Sequence, residues 1–283
     1  MAIELTESRL RQIIKEEILT LTSRTKKRAS LKEIYDPPGW SHDGTRIGAG
    51  DTAQDRELLL IKLSKLPYDM RVINGNLELS YTSITSLPAG LKVSGDLGLL
   101  DTKITSLPTG LKVGGSLGLS GTSITSLPAD LKVGGGLDLS NTKITSLPAN
   151  LKVGGSLSFL GTSITSLPAG LQVGGYLNLR NTMITLLPAD LKVGGDLKLM
   201  ESRITSLPAY LKVGGNLDLS YTSITSLPAG LQVGGWLTLF DTKITSLPAD
   251  LQVGEFIYGF SGDKSQAPQH LMNKIKKFGP RKR

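Results

Sequence analysis

The tetrapeptide Thr-Ser-Leu-Pro recurs every 20 residues along most of this 283-residue chain, with one serine replaced by Leu186. Its threonines are Thr85, Thr105, Thr125, Thr145, Thr165, Thr185, Thr205, Thr225 and Thr245. A unit of this length cannot bury its own apolar face, so like units must stack and share one core. The period therefore predicts a repeat solenoid.

Each unit contains a Leu-x-Leu pattern, such as Leu117 and Leu119. Alternation at period two predicts a short strand with both leucines on one face. Further aliphatic residues follow at fixed positions, in this unit Ile124, Leu127, Leu131 and Val133. Each fully buried leucine or isoleucine contributes about 1.5–3 kcal/mol. We therefore expect one continuous aliphatic column inside the stack.

Proline and glycine define the rest of the unit. The proline of each tetrapeptide fixes φ, and no run is long enough for a helix, so we expect extended or single-turn segments opposite the strand. The Gly-Gly pair before most strands, as in Gly114 and Gly115, predicts a turn that uses the conformational freedom of glycine. A phosphate-binding loop is excluded because no Lys-Ser/Thr pair follows.

The segment GGSLGLSGTSI, residues 114–124, resembles the leucine-rich-repeat consensus L-x-x-L-x-L-x-x-N-x-L, with Gly for the first Leu and Thr for the Asn. The continuation ITSLPAxL is similar to the short LxxLP units of a bacterial class that includes secreted effectors. The resemblance covers residues 66–253. It implies a parallel β-sheet on one face, and it implies that threonine hydroxyls replace the family's asparagine ladder, which bonds the adjacent coil. Those hydroxyls belong to Thr82, Thr102, Thr122, Thr142, Thr162, Thr182, Thr222 and Thr242, with Ser202 in the remaining unit.

We expect four segments along the chain. Residues 1–50 form a helix and an extended arm, residues 51–65 an N-terminal cap helix, residues 66–253 the solenoid of about nine units, and residues 254–283 a C-terminal cap and basic tail. From Pro268 to Phe278, the residues Leu271, Ile275 and Phe278 fall on one helical face. This spacing predicts that the C-terminal cap is also helical.

The N-terminal arm carries apolar residues that capping does not explain. Residues 7–21 show an amphipathic helix pattern, and a linker of about 30 residues rich in proline and glycine follows. The candidate docking residues are Leu10, Ile13, Ile14, Ile18, Leu21, Tyr35 and Trp40. Such a layout predicts a segment that orders on a partner or on a neighbouring subunit, including another copy of the chain. The alternative is that the arm folds back on its own solenoid.

The opening ELTESRLRQIIKEEI resembles a short N-terminal helix of marine bacteriophage proteins. This resemblance implies an accessory protein of a virion, anchored through the arm to a capsid or tail.

Variable positions on the sheet face indicate where a partner binds. Small residues prevail in the first half, and larger ones gather in the second. The candidate contact residues are Tyr176, Arg180, Met200, Tyr221, Trp236 and Phe240. Aromatic residues, methionine and arginine are enriched in protein interfaces, so they predict a protein-binding patch. The alternative is that Trp236 and Phe240 merely lie under the C-terminal cap.

Several functional classes are not expected. The chain has no cysteine, and its two histidines, His42 and His270, lie on opposite sides of the repeats without a nearby nucleophile or metal-ligand spacing. We therefore expect no enzyme, no cofactor and no metal. No signal peptide or membrane-spanning run is evident, so we expect a soluble protein without a membrane partner.

The net charge of +8 is concentrated at the C-terminus. Residues 66–253 carry 13 basic and 12 acidic side chains, whereas residues 254–283 carry 7 and 2. The near-neutral repeat region predicts no basic stripe and no nucleic-acid partner there. The preferred hypothesis is a binding module attached to an assembly through its arm. Its alternatives are a free bacterial effector that uses the sheet face and, more remotely, ice binding through threonine ladders.

Overall fold

A computed structural model describes residues 53–65, 67–149 and 151–276. The chain winds through successive 20-residue coils, and its strands pair in parallel with the same position of the next coil. This arrangement confirms the predicted parallel-stranded solenoid.

One sheet, here called the leucine sheet, has eleven strands in sequential order. Its strands are β2 (Leu77–Glu78), β4 (Leu97–Gly98), β6 (Leu117–Gly118), β8 (Leu137–Asp138), β9 (Leu157–Ser158), β11 (Leu177–Asn178), β13 (Leu197–Lys198), β15 (Leu217–Asp218), β17 (Leu237–Thr238), β19 (Ile257–Tyr258) and β20 (Ile275–Lys276). Strand β19 pairs with β17 in the same 20-residue register. The regular stack thus continues past residue 253.

A second parallel sheet, here called the valine sheet, lies on the other side of each Gly-Gly turn. Its strands are β1 (Val72–Ile73), β3 (Lys92–Val93), β5 (Lys112–Val113), β7 (Lys132–Val133), β10 (Gln172–Val173), β12 (Lys192–Val193), β14 (Lys212–Val213), β16 (Gln232–Val233) and β18 (Gln252–Val253). Single bridges at Val153 join its four-stranded and five-stranded parts. The predicted sheet is the leucine sheet, and the valine sheet is a second one that the Leu-x-Leu pattern alone did not predict.

The aliphatic column predicted from the sequence is confirmed. In the typical unit Leu119 and Ile124 are fully buried, and Leu117, Leu131 and Val133 expose 5% or less of their surface. The side of the coil between the leucine sheet and the next valine strand has turns but no helix or strand, in keeping with its proline. One coil replaces the second leucine by Phe159, which is also fully buried.

The glycine pairs serve the stacking of coils. A Cβ atom on Gly134 would lie 2.2 Å from the carbonyl oxygen of Gly114, and one on Gly135 would lie 2.7 Å from the carbonyl carbon of Gly115. Neither Gly134 nor Gly135 has a positive φ. The prediction that these glycines supply unusual turn conformations was therefore wrong. Glycine is required at both positions because the backbone of the preceding coil leaves no room for a Cβ atom.

The inner threonines form bonds within their own coil. The Thr122 hydroxyl donates to the carbonyl oxygen of Leu119 at 2.7 Å, and Thr82 and Thr142 repeat this bond at 2.6 Å. The family's ladder between coils is thus replaced by a local bond, which a side chain as short as threonine can reach. Ser202 is buried like the threonines, yet its hydroxyl has no hydrogen-bond partner among the described residues.

The two ends are capped differently. Helix α1 (Ala53–Ser64) covers the first coil and buries Leu60 and Leu63. The C-terminal end consists of 3-10 turns at Lys264–Gln266 and Gln269–Leu271, followed by β20. Leu271 and Ile275 are buried as predicted, but the prediction of a continuous cap helix was wrong. The open edge of β19 pairs with β20, which draws this segment into the sheet.

Side chains of the C-terminal cap complete the last valine strand. The Nε2 atom of His270 is 2.9 Å from the carbonyl oxygen of Leu251, and Lys274 Nζ donates to the carbonyl groups of Val253 and Gly254. In inner coils the equivalent carbonyls accept backbone N–H groups of the following coil, as in the 2.8 Å bond from Gly254 to Val233. The cap thereby provides hydrogen-bond partners for the carbonyl groups of an edge strand that would otherwise be open to pairing with another chain.

Asp263 begins the first cap turn. The backbone N–H of Ser265, and secondarily its hydroxyl, donate to this carboxylate and lower its pKa below the ordinary value.

Candidate partner-binding surface

The outward side of the leucine sheet is shallow and polar in its N-terminal half. Gly98 and Gly118 leave the backbone uncovered there, and a depression of about 190 Å³ lies between Asn76, Glu78 and Asp96. Asp96 Oδ1 accepts the backbone N–H of Ser116 at 2.7 Å. Small side chains and locally bonded carboxylates provide few anchors for a partner.

The C-terminal half carries a cluster of aromatic rings, here called the aromatic patch: Trp236, Phe256 and Tyr258. The rings of Trp236 and Tyr258 meet edge to face at 5.8 Å, and those of Phe256 and Tyr258 at 6.1 Å. Trp236 Nε1 donates to the carboxylate of Glu255, and Lys276 Nζ lies 4.8 Å from the centre of the Phe256 ring. Trp236 is nevertheless 44% exposed. Apolar surface and charged neighbours therefore coexist on this face.

A second group lies closer to the middle of the sheet. Lys198 Nζ lies 4.8 Å from the centre of the Tyr176 ring and 3.8 Å from Asp196 Oδ2. Arg180 Nη2 approaches Met200 Sδ at 3.7 Å on the neighbouring coil. Tyr176 occupies the same column as Trp236 three coils earlier, about 14 Å away at the usual strand spacing.

The predicted contact residues differ in exposure. Tyr176, Tyr221 and Trp236 are exposed, and Arg180, Met200 and Phe240 are half-buried. Phe240 lies against the backbone of Gly259, where an added Cβ would be 2.7 Å from Cδ1 of the ring. The C-terminal end thus covers part of Phe240 and leaves Trp236 accessible. The role of all six residues in binding stays a prediction.

Lys198, Phe256 and Tyr258 were not among the contact residues predicted from the sequence. The segment GEFIYGF, residues 254–260, continues the glycine and alternating apolar pattern of the repeats, and this signal identifies Phe256 and Tyr258 as outward residues of one more coil. Lys198 lies between the two leucines of its unit and could be predicted to face outward, but its contact with Tyr176 depends on the direction of both side chains.

Tyr221 has a left-handed backbone, with φ of 58°. The equivalent position has a positive φ in the other coils too. It holds glycine, asparagine or aspartate in six of them, residue types that adopt positive φ at lower cost, whereas Tyr81 and Glu201 adopt it there with φ of 60° each. A tyrosine there is strained, and its side chain is 54% exposed, so packing does not compensate.

Replacing Tyr221 by asparagine is expected to raise the free energy of unfolding by about 1 kcal/mol, because asparagine tolerates this conformation better. Urea denaturation followed by circular dichroism measures the change. Tyr176→Asn is the matched control, since Tyr176 is also exposed but has no positive φ. A Tyr221→Asn variant less stable than the parent protein would contradict this account of the strain.

The arm residues Leu10, Ile13, Ile14, Ile18, Leu21, Tyr35 and Trp40 lie outside the described residues, as do His42 and Phe278. Both hypotheses for the arm therefore stay open. Within residues 53–65, 67–149 and 151–276 no helix is long and apolar enough to cross a bilayer. The same part of the chain holds no group of three or more histidine or acidic side chains placed to bind a metal.

Parallel two-residue strands, a 20-residue coil and an inward leucine column define a solenoid of the leucine-rich-repeat type. No family model matches the sequence, and no curated protein matches it. Among solved structures, a leucine-rich-repeat protein of Leptospira interrogans is similar over 81% of this chain and 88% of its own, with 16% identity and a TM-score of 0.29. The class therefore follows from the coil geometry of this chain alone.

Proposed function

We propose that this protein is a non-enzymatic binding module. The leucine sheet holds a protein partner through its C-terminal half, and residues 1–50 attach the solenoid to a larger assembly such as a phage virion. The observation that carries the proposal is the aromatic patch, in which Trp236 and Phe256 are exposed on a sheet face whose N-terminal half presents mainly small and polar residues.

The chemistry of the patch suits a protein partner. Exposed tryptophan and tyrosine provide large contact areas at low entropic cost, and such residues account for much of the binding energy at interfaces. Charged side chains stand beside the rings of the patch at Glu255 and Lys276, and Lys198 stands over Tyr176 in the second group. An apolar centre with a charged margin is the usual anatomy of a specific interface.

Attachment through the arm is supported by its sequence. Its apolar helix pattern precedes a proline- and glycine-rich linker, and the helix resembles those of marine bacteriophage proteins. A free effector that binds one target with the same sheet face is the competing function, and it requires no assembly.

Ice binding is a further candidate because one threonine column is exposed. The column from Thr85 to Thr245 faces outward, whereas the column from Thr82 to Thr222 is buried. Lys103 and Met183 stand beside the outer column and roughen it. Thermal hysteresis measured on the purified protein tests this candidate directly.

Two variants are expected to separate attachment to the assembly from binding of the partner. Deleting residues 1–50 should remove the protein from the sedimented assembly and leave its partner affinity intact. Trp236→Ala should stay in the assembly and bind the partner about thirtyfold more weakly, because truncating a central aromatic anchor costs about 2 kcal/mol. The partner is first identified by photo-crosslinking from position 258, and its dissociation constant is then measured by titration.

Leu100→Ala is the matched control for Trp236→Ala, because Leu100 lies on the same sheet face in its N-terminal half. We expect less than a twofold change for this control. An unchanged affinity of Trp236→Ala contradicts the role of the aromatic patch. A deletion variant that still sediments with the assembly contradicts the role of the arm and favours the free effector.

A further inference from the structure

The valine sheet presents a row of lysines to its outer side, here called the lysine row. Cα pairing places Lys92 opposite Lys112 and Lys112 opposite Lys132, and the bridge from Val133 to Val153 brings Lys152 next in line. The row consists of Lys92, Lys112, Lys132, Lys152, Lys192 and Lys212, and glutamines occupy the same column at Gln172, Gln232 and Gln252. All these lysines are exposed except Lys92, which is half-buried.

The structure thus places many of the positive charges of the repeat region on one face, although the net charge of that region is close to zero. Residues 66–253 carry 13 basic and 12 acidic side chains, yet six of the basic ones stand on this single column. The prediction that the repeat region has no basic stripe was wrong. Its error came from counting charges by position in the chain, whereas the face on which each charge lies depends on the coil.

The lysines of the row are not neutralised by their neighbours. Among the described residues, no salt bridge joins any of the six to a carboxylate. Three aspartates, Asp130, Asp190 and Asp250, stand two residues before the column. Two of them are engaged elsewhere, because Asp130 accepts the backbone N–H of Gly110 at 2.7 Å and Asp250 that of Gly230 at 2.8 Å.

Like charges directly opposite each other destabilise a sheet. The lysine row therefore lowers the stability of the fold relative to a column in which lysines alternate with neutral or acidic residues. Neighbouring strands lie about 4.8 Å apart, and the six coil steps from Lys92 to Lys212 span roughly 29 Å. A straight line of closely spaced positive charges attracts a ligand with a matching line of negative charges. The row therefore suits an extended polyanion.

We propose that the lysine row binds an anionic polysaccharide lying along the solenoid axis. Glutamine amides in the same column can bond sugar hydroxyl groups where the lysines are interrupted. Beside the column runs a strip of glycines, and near its C-terminal end Lys212, Gln232 and Gln252 border an open groove of about 610 Å³. A polymer chain can reach the charges there over the glycine backbone, with His270 and Lys274 bordering the groove at its end.

Aromatic rings flank the row at two separate places. The Tyr68 ring lies against Gly90 and Gly110, and the Tyr210 ring, 72% exposed, lies against Gly230. Single-stranded nucleic acid is bound on platforms that stack successive bases, and rings several coils apart do not provide them. Lysine is also a point charge without the planar fork by which arginine grips phosphate. These features favour a sugar polymer over nucleic acid.

The test compares two double variants of the full chain with the same change in net charge. K112Q/K132Q removes two lysines from the row, and glutamine is already present at this position of other coils. K103Q/K143Q removes two exposed lysines from the proline-containing side of two coils that are separated by one coil. Fluorescently labelled dextran sulfate is the probe, uncharged dextran the blank, and random-sequence duplex DNA the competing polyanion.

We expect K112Q/K132Q to bind dextran sulfate about tenfold more weakly than the parent protein, with a shallower dependence on salt, because fewer counterions are released. K103Q/K143Q should change the affinity less than twofold. Equal losses in the two variants, or no loss in either, would overturn the proposal. Tighter binding of duplex DNA than of dextran sulfate through the same lysines would overturn the assignment to a polysaccharide. The basic C-terminal segment is identical in all variants, so it cannot cause the difference.

Discussion

Gly134→Ala is expected to lower the free energy of unfolding by about 2–3 kcal/mol, the cost of forcing extra volume into a close-packed contact. The new Cβ would lie 2.2 Å from the carbonyl oxygen of Gly114 and 3.1 Å from its carbonyl carbon. These atoms belong to the backbone of the preceding coil and cannot turn aside as a flexible side chain would. The two coils must separate, which also weakens the valine-sheet hydrogen bond from Gly134 to Val113. Urea denaturation at equilibrium measures the loss.

Gly118→Ala is the matched control, because this glycine belongs to the preceding coil and its added Cβ would meet nothing closer than 4.0 Å. We expect a change within about 0.5 kcal/mol, or a slight gain from the smaller entropy of the unfolded chain. Equal destabilisation by the two alanines would show that glycine is needed for backbone freedom rather than for the approach of coils.

Phe159→Ala is expected to lower the free energy of unfolding by about 3–5 kcal/mol. Phe159 is fully buried and takes the place that leucine holds in the other coils, so its truncation removes apolar contacts and leaves a cavity that rigid coils cannot close. Each coil of a solenoid contacts only its neighbours, and a defect in a central coil weakens the coupling between the two halves. The cooperative urea transition should therefore broaden or divide in two.

Leu160→Ala controls for the position in the chain, since Leu160 follows Phe159 directly but is 37% exposed. We expect a loss below about 1 kcal/mol and a single transition. A Phe159→Ala protein that unfolds in one transition near the original urea concentration would contradict the fully packed core described above.

The predictions made from the sequence agreed best with the structure for the buried residues of the core. The leucines of the Leu-x-Leu pattern, together with residues such as Ile124, are buried in every coil because a strict 20-residue period permits only one stacked register. Disagreement arose at short elements. The Leu-Lys-Val triplets alternate between buried and exposed residues as the Leu-x-Leu pattern does, yet only their place in the core was predicted and not a second sheet. The C-terminal cap ends in β20 because an open sheet edge competes successfully with helix formation.

For the candidate surface, the exposure of Tyr176 and Trp236 could be anticipated, since each directly precedes a buried leucine. The exposure of Tyr221 could not, because it follows Leu219 by two residues and simple alternation would turn it inward. The backbone strain at Tyr221 could not be predicted from the sequence, because φ at that position depends on the path of the whole coil. The lysine row was visible in the sequence at 20-residue spacing, between inward residues such as Leu131 and Val133, but the direct pairing of one lysine with the next depends on the stacking of the coils.

The sequence by itself determined that like coils stack around a shared aliphatic interior, because a short unit with inward residues at fixed spacing has no other way to remove them from water. Only the tertiary structure decided which charges share a face, which glycines touch the neighbouring coil and which aromatic rings meet. Those outcomes depend on the direction of side chains and on distances between coils, and both are set when the coils are packed together.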